Sequence, residues 1–105
     1  MSLLRRYEIL LPLLYNDGRP VPGTLLAETF AELRERFGAA SWETQTVQGQ
    51  WEQEGAIYLD NLTHFFVDVP DLPEHRAFFK SFKEKLKLRF DQLDVWITSH
   101  SVDVI

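Results

Sequence analysis

The chain contains no cysteine among its 105 residues. That absence excludes a disulfide scaffold, a thiolate nucleophile, a cysteine-based zinc site and an iron–sulfur cluster together, and it accords with a reducing compartment. Long apolar runs are missing too: nothing approaches the roughly 20 residues that a spanning helix needs. The opening MSLLRRYEILLPLLY has charge followed by apolar residues, as a leader does. Pro12 interrupts the run, however, and Asn16-Asp17-Gly18 follows with no small-residue cleavage site. It reads as the first strand of a cytoplasmic protein, with Arg5-Arg6 as a solvated lead-in. An excess of positive charge is also lacking. The net charge of -5 argues against a dedicated nucleic-acid binder. Nor is there a Gly-x-Ser-x-Gly elbow, a P-loop, a Gly-x-Gly-x-x-Gly turn or a His-Glu-x-x-His helix, so no motif implies a metal or a cofactor.

What is present is an ordinary globular composition, 45% hydrophobic and 26% charged. The length suits one domain over residues 1–105 with one buried core. Aromatic residues make up 13%, eight of them Phe. That is more apolar surface than one small core needs, and it points to self-association or an apolar pocket. Charge is uneven. Residues 1–75 carry five Arg and twelve Asp/Glu, whereas residues 76–105 carry six Lys/Arg and four Asp/Glu. The basic part is mostly one stretch, Arg76 to Arg89, which reads as a solvated helix face.

From Tyr7 to Tyr15 residues alternate, and both faces become apolar after Glu8, the pattern of a central strand covered on both sides. Pro12 cannot donate to a ladder, so an irregularity is expected there. Asn16-Asp17-Gly18 is a turn. A helix over 24–37 follows, with Thr24 as N-cap, a stripe of Leu26, Phe30, Leu33 and Phe37, and Gly38 as C-terminal cap. Ser41 to Trp51 forms a second strand. Gly49 in it marks a bulge or a close backbone approach, and a third strand runs within Ala56–Val69 with a bulge expected at Asp60-Asn61. Asp71, Pro73 and Glu74 read as N-cap, first turn and capping box of a second helix that reaches about Phe90. Asp94 to His100 is the last strand. The order β-α-β-β-α-β predicts an α+β, ferredoxin-like sandwich: a four-stranded antiparallel sheet in the order 4-1-3-2 with two helices on one face. The other face would carry Leu10, Leu14, Phe66 and Trp96, too apolar to leave in water. Two occupants would cover it: a second copy in a homodimer, or a small apolar or aromatic ligand.

This element order resembles the dimeric α+β-barrel superfamily of ferredoxin-like proteins, which includes small monooxygenases; the resemblance implies dimerisation through the sheet. Separately, the run Thr46 to Trp51, then Gly55 and the strand Leu62 to Val69, follow a helix ending Arg36-Phe37-Gly38. Together they resemble a small uncharacterised bacterial family with a Gly-Gln-Trp hairpin. That resemblance brings no activity with it.

The candidate site residues lie around this hairpin. Trp42, Gly49, Trp51 and Tyr58 would form a ligand-stacking wall, or alternatively cap the sheet end or pack at a dimer contact. His64 has a side chain that titrates near neutrality and is the candidate acid/base, oriented by Asp60 or Glu43. Its alternative role is a hydrogen-bonded core or interface histidine. His75 and His100 lack metal-ligand spacing. The first reading is therefore a protein that dimerises through its sheet and acts in interaction or small-ligand binding rather than catalysis. The alternative is a cofactor-free, monooxygenase-like enzyme with an apolar pocket and His64 as acid/base. A third reading uses Lys80, Lys83, Lys87 and Arg89 against a nucleic acid, which the acidic hairpin opposes.

Overall fold

Alternating burial of Tyr7, Ile9 and Leu11 against the partly exposed Arg6, Glu8 and Leu10 marks the central strand of the computed structural model, which describes residues 2–105. This strand, β1 (Ser2–Pro12), pairs antiparallel with β3 (Ala56–Val69) on one side and β4 (Trp96–Val104) on the other. It begins earlier than the sequence suggests. Arg5 and Arg6 are in the ladder rather than a solvated lead-in, because each finds an anion. Arg6 clamps Asp68 on β3 through two bonds of 2.7 and 3.0 Å, and Arg5 pairs with Asp71 at 3.1 Å. Pro12 is the strand's last residue, where a missing N–H is tolerated. The chain then reverses through Tyr15 to Arg19, with Gly18 at φ 89 supplying the left-handed turn position.

Two amphipathic segments become α1 (Gly23–Phe37) and α2 (Pro73–Arg89). The expected side-chain caps are corrected. The N-cap residues are Pro22 and Leu72, and neither helix has a side-chain cap hydrogen bond. Thr24 already lies inside the first turn of α1, and Asp71 is drawn to Arg5 instead. Proline in the first turn of α2 loses nothing by lacking an N–H. At the other end of α1, Gly38 adopts the left-handed cap and its N–H bonds Arg34 O at 2.8 Å.

Leu26 and Leu33 of α1 and Phe79, Phe82 and Leu86 of α2 pack with Tyr7, Ile9, Leu11, Phe65, Val67 and Val95 into one core. Both helices thus cover the same face of the sheet. Tyr7 stacks on Phe79 at 4.1 Å between ring centres. The helices are tied by Arg89, whose guanidinium forks onto Glu32 at 2.8 and 3.0 Å and donates to the buried Thr29 Oγ1 at 2.9 Å.

The sheet departs from expectation in its division and its curl. The neighbours themselves run β2-β3-β1-β4, the expected 4-1-3-2 read from the other edge, where β2 is Ser41–Gln53. The register between β2 and β3 shifts between Glu43 and Val47, and the break divides β2 in two. The sheet therefore has five antiparallel segments, the two parts of β2 lying end to end along β3 with β1 and β4 beyond it, and it curls into a half-barrel. The expected four-stranded ferredoxin-like sandwich is corrected accordingly. The reason is local. Thr44-Gln45-Thr46 offers no apolar alternation to fix a register, and a bulge bends and twists its strand. The bulges expected at Gly49 and Asp60-Asn61 are absent, since Gly49 pairs with Asp60 and Gln48 with Asn61. Beyond Pro12, which faces Leu62, the β2–β3 hairpin runs on as a two-stranded arm, the kind of ribbon that twists most.

Two outcomes follow. Phe65 is fully buried, so Phe65→Ala should cost about 3–5 kcal/mol in denaturant unfolding. Hydrogen bonding from Arg89 holds the Glu32 carboxyl below the usual carboxylate range. A depressed carboxylate gives stability that is present above its unfolded value and lost as pH falls through the folded one. Glu32→Gln should therefore melt below wild type at neutral pH, and the two curves should converge in acid. A difference that persists in acid would assign the effect to packing.

Candidate functional site

The face opposite the helices carries even-numbered residues of β1, β3 and β4. At the end where β1 stops, it opens into a cavity of about 450 Å³, within the range of small-molecule sites. Leu10, Pro12 and Leu62 line it from β1 and β3. Trp51, on the overhanging arm, lines it from one edge of the sheet, and Trp96, the first residue of β4, from the other. Asn16, Gln53, Gln92, Leu93, Asp60 and Asp94 complete the lining. Trp96 and Leu93 are 63% and 70% exposed, so large apolar side chains stand in water around a concave surface.

Trp51 is held from two directions. Its ring stacks on Tyr58, its cross-strand partner, at 4.5 Å. Its Nε1–H donates to Asp60 Oδ2 at 2.7 Å. Gly49 pairs with Asp60 on the adjoining strand. A Cβ there would meet Leu62 at 3.5 Å, an ordinary contact, so no close backbone approach demands glycine. Asp94 at the far side bonds Lys83 at 3.0 Å, and that hydrogen bond lowers its pKa below the usual value.

His64 shares this face but does not line the cavity. Its Nδ1–H donates to Glu43 Oε2 at 2.9 Å, and Nε2 faces Glu8 Oε1 at 3.6 Å. Glu43, not Asp60, is its partner. Both ring nitrogens point at carboxylates, whereas an acid/base needs one within reach of a reacting atom. Phe66 lies beside His64 and is covered by the Arg6 guanidinium at 4.3 Å.

The structure therefore brings Gly49, Trp51, Tyr58 and His64 to one face and parts Trp42 from them. Trp42 is on the helix side, packed on Phe30 and Phe65, with its Nε1–H bonded to Thr63 Oγ1 at 2.8 Å. Sequence reasoning placed Trp96 on this open face without counting it among the candidate site residues, and it missed Asn16, Gln53 and Asp94. The signal for Trp96 lay in strand pairing, which sets it opposite Leu10.

Elsewhere, His75 donates from Nδ1 to Pro70 O at 2.8 Å. Among the described residues, no group of three His, Asp or Glu is placed to hold a metal ion, and no helix is long and apolar enough to cross a membrane. Most of the basic row on α2 is engaged internally: Lys83 with Asp94, Lys85 and Arg89 with Glu32, and Lys87 with Glu84. The Trp51–Trp96 cavity, by contrast, has two indoles, an apolar floor, several amides and two carboxylates, with no Lys or Arg in its lining. Such a surface takes a flat apolar group and favours positive charge beside it.

No protein-family model and no curated protein matches this chain. Among solved structures it is similar to a phage SAM lyase in complex with S-methyl-5'-thioadenosine, with TM-score 0.70 and 14% identity over 96% of this chain and 90% of that one. It is similar also to phage SAM lyase in the apo state, with TM-score 0.64 and 17% identity over 95% and 89%. At these identities the likeness is one of fold. The resemblance read from element order stands at that level, a small α+β fold with a curled sheet.

Asp60→Ala should free the Trp51 indole. In a background with Trp42 and Trp96 replaced by Phe, its emission should shift to the red and acrylamide should quench it faster. The loss of one charge-assisted bond should cost about 1.5–3 kcal/mol at most. Unchanged emission would mean that stacking on Tyr58 alone fixes the ring.

Proposed function

We propose that this protein binds a small ligand between Trp51 and Trp96, and that the ligand is an adenosine-type nucleoside carrying a sulfonium or thioether group. One observation carries the reading: two indoles line an apolar cavity whose only charged lining residues, among the described residues, are Asp60 and Asp94. An adenine ring is flat and stacks on indole. A sulfonium is a compact cation, stabilised by aromatic faces and by nearby carboxylates. The fold supports the same class, because two of its solved neighbours are phage SAM lyases, one holding S-methyl-5'-thioadenosine.

Self-association belongs to the same proposal. Trp96 and Leu93 remain exposed at the rim of the cavity, and a second copy against this face would cover them and narrow the opening. Light scattering should then give twice the 12.3 kDa chain mass. A monomer at all concentrations would remove the dimer and leave the ligand reading standing.

Titration with S-adenosylmethionine and with S-methyl-5'-thioadenosine, followed by tryptophan fluorescence and calorimetry, tests the ligand. Both should bind, the sulfonium more tightly. Trp51→Ala and Trp96→Ala should each weaken binding about tenfold or more, in line with the loss of an aromatic stacking partner. Asp60→Asn with Asp94→Asn should narrow the preference for the cation. Folded wild type that binds neither compound at millimolar concentration would overturn the reading. Release of S-methyl-5'-thioadenosine from bound S-adenosylmethionine would extend it to catalysis.

A further inference from the structure

On the helix side of the sheet, away from the tryptophans, α2 and β4 enclose a second cavity of about 230 Å³. Arg76, Lys80 and Lys83 lie at i, i+4 and i+7 along α2 and line one wall. Thr98 and Ser99 of β4 line the other. Tyr7 of the central strand lines it too, held by its stack on Phe79.

Two features of this groove are unusual. Tyr7 is 3% exposed, and its hydroxyl meets no hydrogen-bond partner among the described residues. Buried hydroxyls are nearly always bonded, so an orphan calls for a partner outside the chain. The cations are also in surplus. Asp94 takes Lys83 at 3.0 Å and Asp71 takes the neighbouring Arg5 at 3.1 Å, but Arg76 and Lys80 have no ion-pair partner among the described residues. The Oγ of Ser99 accepts from Arg5 at 3.1 Å, which leaves its own proton to donate. In a chain of net charge -5, cations and spare O–H donors converge on one groove.

We propose that this groove is a site for a phosphate-type oxyanion. The tetrahedral anion accepts from Arg76 and Lys80 at the mouth, from the Ser99 hydroxyl on the β4 side, and from the Tyr7 O–H at the floor. Charge-assisted bonds of this kind are short and strong, and arginine can engage two oxygens at once. The Tyr7 hydroxyl is shielded from water, so the long side chains at the mouth swing aside as they close on the anion. The chemistry suits inorganic phosphate and a phosphomonoester alike. The site does not depend on the nucleoside reading, for it lies on the other side of the sheet.

The test uses the full chain, with inorganic phosphate and glycerol 3-phosphate as probes and potassium chloride at matched ionic strength as control. Phosphorus NMR and calorimetry should report saturable binding that chloride does not mimic, and comparison of the two probes identifies the preferred form. Tyr7→Phe removes an unsatisfied hydroxyl, so it should melt at or above wild type yet bind phosphate several-fold more weakly. Arg76→Gln with Lys80→Gln, both at the surface, should abolish binding without loss of fold. Trp51→Ala should bind phosphate as wild type does. Phosphate acting no differently from chloride would overturn the proposal, as would a folded Arg76→Gln, Lys80→Gln variant that binds like wild type. Unaltered affinity in Tyr7→Phe would remove the floor hydroxyl and with it the site as drawn.

Discussion

Pro12 ends the central strand, and the candidate ligand cavity depends on that stop. Pro12 has no N–H to offer a strand on the β4 side, and β4 stops opposite Leu10, so β3 alone flanks β1 at this point. β1 therefore halts opposite Leu62, while the β2–β3 hairpin continues past it as an arm. The sheet is four strands wide at Leu10 and two strands wide beyond Pro12. The space left at the step is the cavity, with Leu10, Pro12 and Leu62 beneath and Trp51 carried out on the arm. Were β1 longer, it would pair along the arm and fill the space.

The register break in β2 complements that stop. A bulge raises local twist, and the sheet curls with a cavity on the face away from the helices. Trp51 and Trp96, on opposite edges of the sheet, then line one volume. The helices act from the other side. Arg89 on Glu32 and the Phe37–Phe79–Tyr7 stack pack α1 and α2 on the core. The same packing sets the α2–β4 connection, which brings Asp94 and Leu93 to the cavity and leaves Lys83 to balance Asp94.

The sheet's two faces thus have separate chemistries. The concave face offers indoles and carboxylates and is suited to a flat cation. The groove beneath α2 offers cations and hydroxyls and is suited to an anion. β1 serves both, since alternation sends Leu10 to one and Tyr7 to the other. The same alternation seats His64 among Glu43, Glu8 and Phe66, where its ring is braced rather than presented.

The amino-acid sequence alone marks out the element order, the apolar stripes of both helices, the cap at Gly38 and the central place of the strand through Tyr7. These follow from period and from residues with special backbone demands, which act over a few positions. It also marked Trp51 and the hairpin, and it set Glu43 beside His64 as one of two options. The rest came from packing between distant segments. The break between Glu43 and Val47 is invisible in a polar stretch, because no apolar pattern there prefers one register. The side of the sheet taken by Trp42 depended on that register, since a slip of one residue exchanges faces. Trp96 and Asp94 joined Trp51 through strand pairing and loop placement across more than forty residues of chain, and Tyr7 gained cationic neighbours because α2 crosses over it. Local sequence has no term for contacts of that range, and both cavities are made of them.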